Sequence, residues 1–161
     1  MSKTKNKTIF NLILVFSVFA LIIAYFIQYS LGYQPCNLCL IERIPYILAV
    51  IIILLYFFLK KFEKVFLIIL SLIFLFAALI SFYHFGIEQG FIKESFVCEL
   101  NQSDKVLTVE ELLKELNEQT ISCKNVTFKI LGMSLATINT IISLIISVIV
   151  FKAYFYYEKN R

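Results

Sequence analysis

Charge is scarce in this sequence. Of its 161 residues, 16% are Asp, Glu, Lys or Arg, and the net charge is a modest +4. The basic residues sit mostly at the ends of apolar runs. That argues against a nucleic-acid partner and points to membrane orientation instead. Inside the apolar runs there is little beyond Asn139 that is strongly polar. A transporter or channel subunit would place ionisable groups there, so that class is disfavoured. Histidine occurs once, as His84, and cysteine four times. A zinc site on Cys36 and Cys39 would need Cys98 and Cys123, or His84 in place of one. The second cysteine pair lacks the usual close spacing, so no metal is expected. Trp is absent, and no internal repeat or low-complexity linker interrupts the chain. One domain over residues 1–161 is the simplest organisation.

What the chain does contain is apolar surface. Hydrophobic residues make up 60% of it, with 17 Phe and 9 Tyr, and the mean hydropathy is +0.86. A domain this small cannot hide so much apolar area in its own core, so lipid is the expected solvent. Four apolar stretches predict helices at about 9–29, 41–59, 65–85 and 131–155. A bilayer core needs roughly 20 helical residues, and backbone groups in lipid must be paired internally. The first stretch follows Lys3, Lys5 and Lys7. It is longer than the apolar core of a signal peptide and no clear small-residue cleavage site follows, so it reads as a retained helix. The fold class is an all-α integral membrane protein, a bundle of four transmembrane helices in a lipid bilayer.

Lysine and arginine placement sets an orientation. Basic residues gather at the N-terminus, at Lys60, Lys61 and Lys64, and at Lys152, Lys159 and Arg161. The positive-inside rule makes these regions cytoplasmic, with both termini inside and outward loops at about 30–40 and 86–130. In the first loop region Arg43 is the sole base, balanced by Glu42. In the second loop Val109, Leu112, Leu113 and Leu116 follow a helical template, and Thr108 with Glu111 forms a capping-box pattern. These predict a short amphipathic helix on the membrane surface or the bundle. A stripe of Gly132, Ala136 and Thr140, with Ser143 and Ser147 nearby, suits close helix packing.

The stretch "GYQPCNLCLIER", Gly32 to Arg43, carries the chemistry. All four cysteines fall in the outward loops, where disulfides persist, so two disulfides are expected; spacing alone does not choose among the three pairings. A bond between Cys36 and Cys39 constrains the chain little and is a weak staple. Such a pair suits exchange, one thiol attacked while the other resolves the intermediate. A helix N-terminus and a nearby cation both stabilise a thiolate. Arg43, four residues after Cys39, shares its face if the chain is already helical there. Pro45 argues for a helix that begins nearer Glu42, leaving Cys39 just outside it. A bond between Cys98 and Cys123 would close a loop of roughly 25 residues, worth about 3 kcal/mol by chain entropy, which alone would justify a structural role. Opposite a membrane-surface Cys-x-x-Cys, such a pair could instead collect electrons from a soluble partner and hand them to the fixed pair. His84, Tyr29, Tyr33 and Tyr46 read first as polar residues of the interface.

These features together resemble a known family. "PCNLCLIERIPY", from Pro35, and "YHFGIEQ", from Tyr83, with a second cysteine pair in a long outward loop, are similar to the bacterial disulfide bond formation proteins DsbB and BdbC. The resemblance covers essentially the whole chain. It implies a plasma-membrane thiol oxidase that reoxidises a DsbA- or BdbD-like thioredoxin-fold protein outside the cytoplasm and passes the electrons to the membrane quinone pool, ubiquinone or menaquinone. It implies attack by that partner at Cys98, onward exchange through Cys123 to Cys36, and a Cys39 thiolate facing the quinone. Arg43 would stabilise the charges there, and His84 is a candidate quinone contact. The rival reading is a non-enzymatic four-span scaffold whose outer loops are stapled by two structural disulfides.

Overall fold

The computed structural model describes residues 2–59, 62–93, 98, 123, 129–130 and 133–159. Helix α1 runs Ser2–Tyr29, α2 Asn37–Ile41, α3 Ile44–Leu59, α4 Glu63–Glu88 and α5 Leu135–Lys159. Four helical segments are long and apolar enough to cross a membrane: Lys7–Tyr29, Asn37–Leu59, Glu63–Glu88 and Leu135–Tyr156. The second counts α2 and α3 as one span. Residues such as Leu12, Val15 and Phe58 are exposed on the outer faces, as lipid-facing side chains must be. The chain is thus a multi-pass membrane protein.

Helix α4 packs most extensively against α5, α1 against α3, and α3 against α4. In lipid there is no hydrophobic force between helices, so close approach and interhelical hydrogen bonds hold them together. The α4–α5 seam shows both. Ser71 Oγ donates to the Ser147 carbonyl at 3.3 Å, and Ser147 Oγ donates back to the Ser71 carbonyl at 3.0 Å. Of the small-residue stripe, Ala136, Ser143 and Ser147 are buried, while Gly132 lies outside the described residues. The core joins Phe10 and Ile13 of α1 to Ile53 of α3, Leu67 and Leu70 of α4, and Val150 of α5.

Several boundaries differ from the sequence expectation. The second apolar run is helical from Asn37, not 41, and a turn at Glu42–Arg43 divides it. Pro45 has no N–H to give, so it sits in the first turn of α3, where none is needed. The helix expected from 131 begins at Leu135. Before it, β1 (Lys129–Ile130) pairs antiparallel with β2 (Met133–Ser134). Ser134 starts α5 by accepting the Thr137 N–H at its Oγ, 3.2 Å away, an N-cap that fixes the start. Helix α4 extends past 85 to Glu88 and stops where Gly90 adopts φ +75°, the left-handed conformation that ends many helices. There the chain folds back so closely that a Cβ on Gly86 would lie 2.6 Å from Ile92 Cδ1. The amphipathic helix expected around Thr108–Glu118 lies outside the described residues.

Candidate functional site

The Cys-x-x-Cys is built on a helix start. Cys36 is the N-cap of α2, in extended conformation, and its Sγ accepts the Cys39 N–H at 3.3 Å. Cys39 therefore lies within this short helix, not outside it. Cys36 is buried and Cys39 half-buried, and both are free thiols. The expectation of two disulfides is thus corrected: Cys98 and Cys123 are bonded to each other, and the short pair is reduced. A Cys-x-x-Cys can close on itself, but here the N-cap geometry gives Cys36 Sγ the helix's backbone donor and His84 as partners.

His84 of α4 is buried, 3% exposed, and not the interfacial residue its position suggested. Its Nε2 lies 3.6 Å from Cys36 Sγ, and its Nδ1 lies 2.7 Å from Glu42 Oε1. Both Glu42 oxygens accept, Oε2 from Asn139 Nδ2 at 2.9 Å, so the Nδ1 of His84 carries the donated proton. Asn139 in turn donates to Ser81 Oγ at 2.6 Å, and its Oδ1 accepts from Tyr46 and from Ser143 Oγ, the latter at 3.2 Å. A connected polar chain therefore crosses α2, α3, α4 and α5 inside an apolar bundle. Fully partnered networks of this kind are tolerated in low dielectric and hold one geometry.

The environment of Cys36 favours its anion. The Cys39 thiol hydrogen-bonds it, burial opposes, and the hydrogen bond and charge of His84 add to the first effect; together they lower its pKa from 9.0 to about 5. A helix N-terminus is where a thiolate belongs.

Glu42 and Arg43, adjacent in sequence and balanced in charge, take different partners. The turn between α2 and α3 sends the two side chains apart. Arg43 Nη1 donates to Gln28 Oε1 at 2.6 Å, and its guanidinium lies 5.0 Å from the centre of the Tyr25 ring. Arg43 and Cys39 nevertheless line the same cavity, about 350 Å³, walled mainly by apolar side chains of α1 and α5 such as Phe16, Phe19 and Ile138. Cys36, His84, Glu88 and Cys123 also border it. Its size falls in the range of small-molecule pockets. Tyr33 lines it too, Tyr46 is buried beneath it, and Tyr29 stays exposed.

The second cysteine pair joins the first. Cys36, Leu38, Ile87 and Cys123 form one buried cluster, with Cys39, Tyr83 and Cys98 packed against it. All four cysteines, Arg43 and His84 thus meet at one end of the bundle. Sequence reading missed Glu42, Asn139 and Glu88 as members of this site. The signal that could have exposed Glu42 is its place one turn after Cys39 at the start of an apolar run, where an acid needs a buried partner.

Comparison with known proteins gives a consistent picture. The family described as "Disulfide bond formation protein DsbB" matches residues 6–153. A protein of Rickettsia prowazekii (strain Madrid E), described as "Uncharacterized protein RP370", is 29% identical over 162 residues, covering 99% of this chain and 94% of that protein. No solved structure matches.

Proposed function

The chain belongs to the DsbB family of disulfide bond formation proteins, and on that premise we propose that it is a quinone-dependent thiol oxidase for a DsbA-like thioredoxin-fold protein, working at the outer face of a bacterial plasma membrane. One observation carries the reading: a disulfide, Cys98–Cys123, and a dithiol, Cys36 and Cys39, share one cluster that opens on an apolar cavity with Arg43 on its wall. Exchange begins when a thiolate of the partner attacks Cys98 and Cys123 leaves. The partner's second thiolate then releases Cys98, so the partner gains a disulfide and this chain gains two thiols. Those two electrons pass inward by the same exchange, Cys123 attacking Cys36 of an oxidised short pair and expelling Cys39. Cys39 is then the anion at the cavity, and resolution leaves Cys36 and Cys39 as the dithiol.

The cavity suits a flat, lipid-soluble ring. Its walls are apolar, and Arg43, fixed by Gln28 and Tyr25, brings a positive charge beside Cys39. A bound quinone would supply a two-electron acceptor there, with Arg43 and His84 as its polar contacts. Loss of two electrons from the dithiol also releases two protons. His84, between Cys36 and Glu42, is placed to take one from the sulfur and share it with the carboxylate. The lysine pattern supports an orientation with both termini cytoplasmic and the cysteines outside.

The test is purified protein with a reduced thioredoxin-fold partner and quinone, with quinone reduction followed optically. Turnover is expected, and it should vanish on Cys36→Ser. A Cys36→Ser protein that still turns over would refute the mechanism.

A further inference from the structure

We propose that the reduced protein holds a redox-gated site for a soft divalent cation of the zinc type, formed by Cys36 Sγ, Cys39 Sγ, His84 Nε2 and a carboxylate oxygen of Glu88. The donor atoms of Cys36, Cys39 and His84 all lie within 4.8 Å of one another; Glu88 stands outside that group and would move in to complete it. With metal–sulfur and metal–nitrogen bonds near 2.3 and 2.0–2.1 Å, a tetrahedral site sets sulfur and nitrogen about 3.6 Å apart. The Cys36 Sγ to His84 Nε2 distance is 3.6 Å. A nitrogen and a carboxylate oxygen on such a metal lie about 3.4 Å apart, and Glu88 Oε1 is 3.7 Å from the same Nε2.

Two further observations point to a ligand. Metal-bound histidines give their other ring N–H to a carboxylate, which fixes the tautomer and turns the free nitrogen to the metal. Glu42 does this at Nδ1, and Asn139 holds Glu42 in turn. Glu88 Oε2 is a buried acceptor with no hydrogen-bond partner among the described residues, an orphan beside the donor set. The sequence argued against zinc because Cys98 and Cys123 are badly spaced as ligands. The fold keeps His84, the alternative ligand the sequence offered, and adds Glu88 beside it.

Binding forms two metal–sulfur bonds, and the thiol protons leave to the buffer; nothing is oxidised. A bond between Cys36 and Cys39 removes both anionic ligands, so the oxidised chain has no site. Conversely, a bound cation holds the pair reduced and keeps it from an electron acceptor. The site is therefore a point of reversible inhibition by soft metals.

The experiment uses the full chain carrying Cys98→Ser and Cys123→Ser, so that Cys36 and Cys39 are the only thiols, in lipid nanodiscs after removal of reductant. Cadmium alone is titrated, following the ultraviolet thiolate-to-cadmium absorption, and zinc is measured by competition. The expected result is one ion per reduced chain and none on the oxidised chain. Glu42→Gln, which removes the histidine's support, should weaken binding about 10–100-fold, and His84→Gln and Glu88→Gln, which remove ligands, at least as much. Equal binding by oxidised and reduced chains would overturn the proposal, and this comparison needs no ligand variant to fold. So would the lack of a saturable band with cadmium in large excess. An unchanged affinity in both His84→Gln and Glu88→Gln would also overturn it, leaving a bare dithiol chelate. No quinone or partner protein enters the titration, so its failure and failure of the thiol-oxidase reading are separate results.

Discussion

At the end of the bundle where α1 begins and α5 ends, Phe10 stacks on Tyr56 with ring centroids 4.1 Å apart, and Phe66 meets Tyr56 edge-on at 5.8 Å. Ile53, Leu67 and Val150 are fully buried around them. At the other end the same helices leave a cavity of about 350 Å³ and thread it with Cys36, His84, Glu42 and Asn139. The first end gains stability from many small dispersion contacts, and any void there forfeits them. The second end gives up that packing for donors and acceptors that must all be matched. Tyr46 marks the border. Its ring meets Phe74 edge-on at 5.8 Å, while its hydroxyl bonds Asn139 and Ser143. One apolar bundle thus separates the packing that holds it together from the polar cluster that carries its thiols.

The sharpest way to break this division is at the cysteines. Cys39→Ser should abolish oxidation of a thioredoxin-fold partner while leaving thermal unfolding in detergent almost unchanged, measured side by side on one preparation. A large loss of stability would show that the polar end also carries the fold. The mirror experiment is Leu70→Ala in the packed end. It should cost about 2–5 kcal/mol of unfolding free energy, yet leave the alkylation rate of Cys36 as it was. If that rate moves, the two ends are coupled.

A pH series sharpens the polar end alone. Alkylation of Cys36 by a neutral reagent should be nearly level at neutral pH and fall as pH drops through about 5, where the thiolate is protonated. Because its folded value lies below that of the free thiol, the anion adds stability in full above 9.0; the gain shrinks below that and is lost as pH falls through about 5. His84→Gln removes a hydrogen bond and a charge, so the alkylation midpoint should rise. Each unit of rise would slow alkylation about tenfold at a pH below both midpoints. An unmoved midpoint would mean that His84 does not support the anion. The smallest effect is expected at the surface. Lys64 and Glu158 pair at 3.2 Å with both side chains partly exposed. Lys64→Ala should cost less than about 1 kcal/mol, and less still at high salt.

The parts of the site that were legible in the sequence are those set by neighbours along the chain. Cys36 and Cys39 announce themselves by spacing, and Arg43 by being a base at the edge of an apolar run. Glu42 was read only as the charge that balances Arg43, because its partner His84 is 42 residues away and Asn139 is 97 away. The choice of Cys36 as the stabilised thiol was likewise hidden. It depends on where α2 starts, and that start is fixed by the cap itself.

Composition and spacing were enough for the solvent, the four spans and the Cys-x-x-Cys at the start of the second one, but not for how the four cysteines pair. Hydropathy and short-range spacing are properties of the chain alone, and lipid leaves a long apolar segment no alternative to a helix. It took the folded bundle to put His84 between a sulfur and a carboxylate, to turn Arg43 to Gln28 and Tyr25, and to gather all four cysteines in one cluster. Those contacts join residues on different helices, and each is set by how the helices rotate and cross. That is a matter of packing between surfaces, which no single stretch of sequence carries.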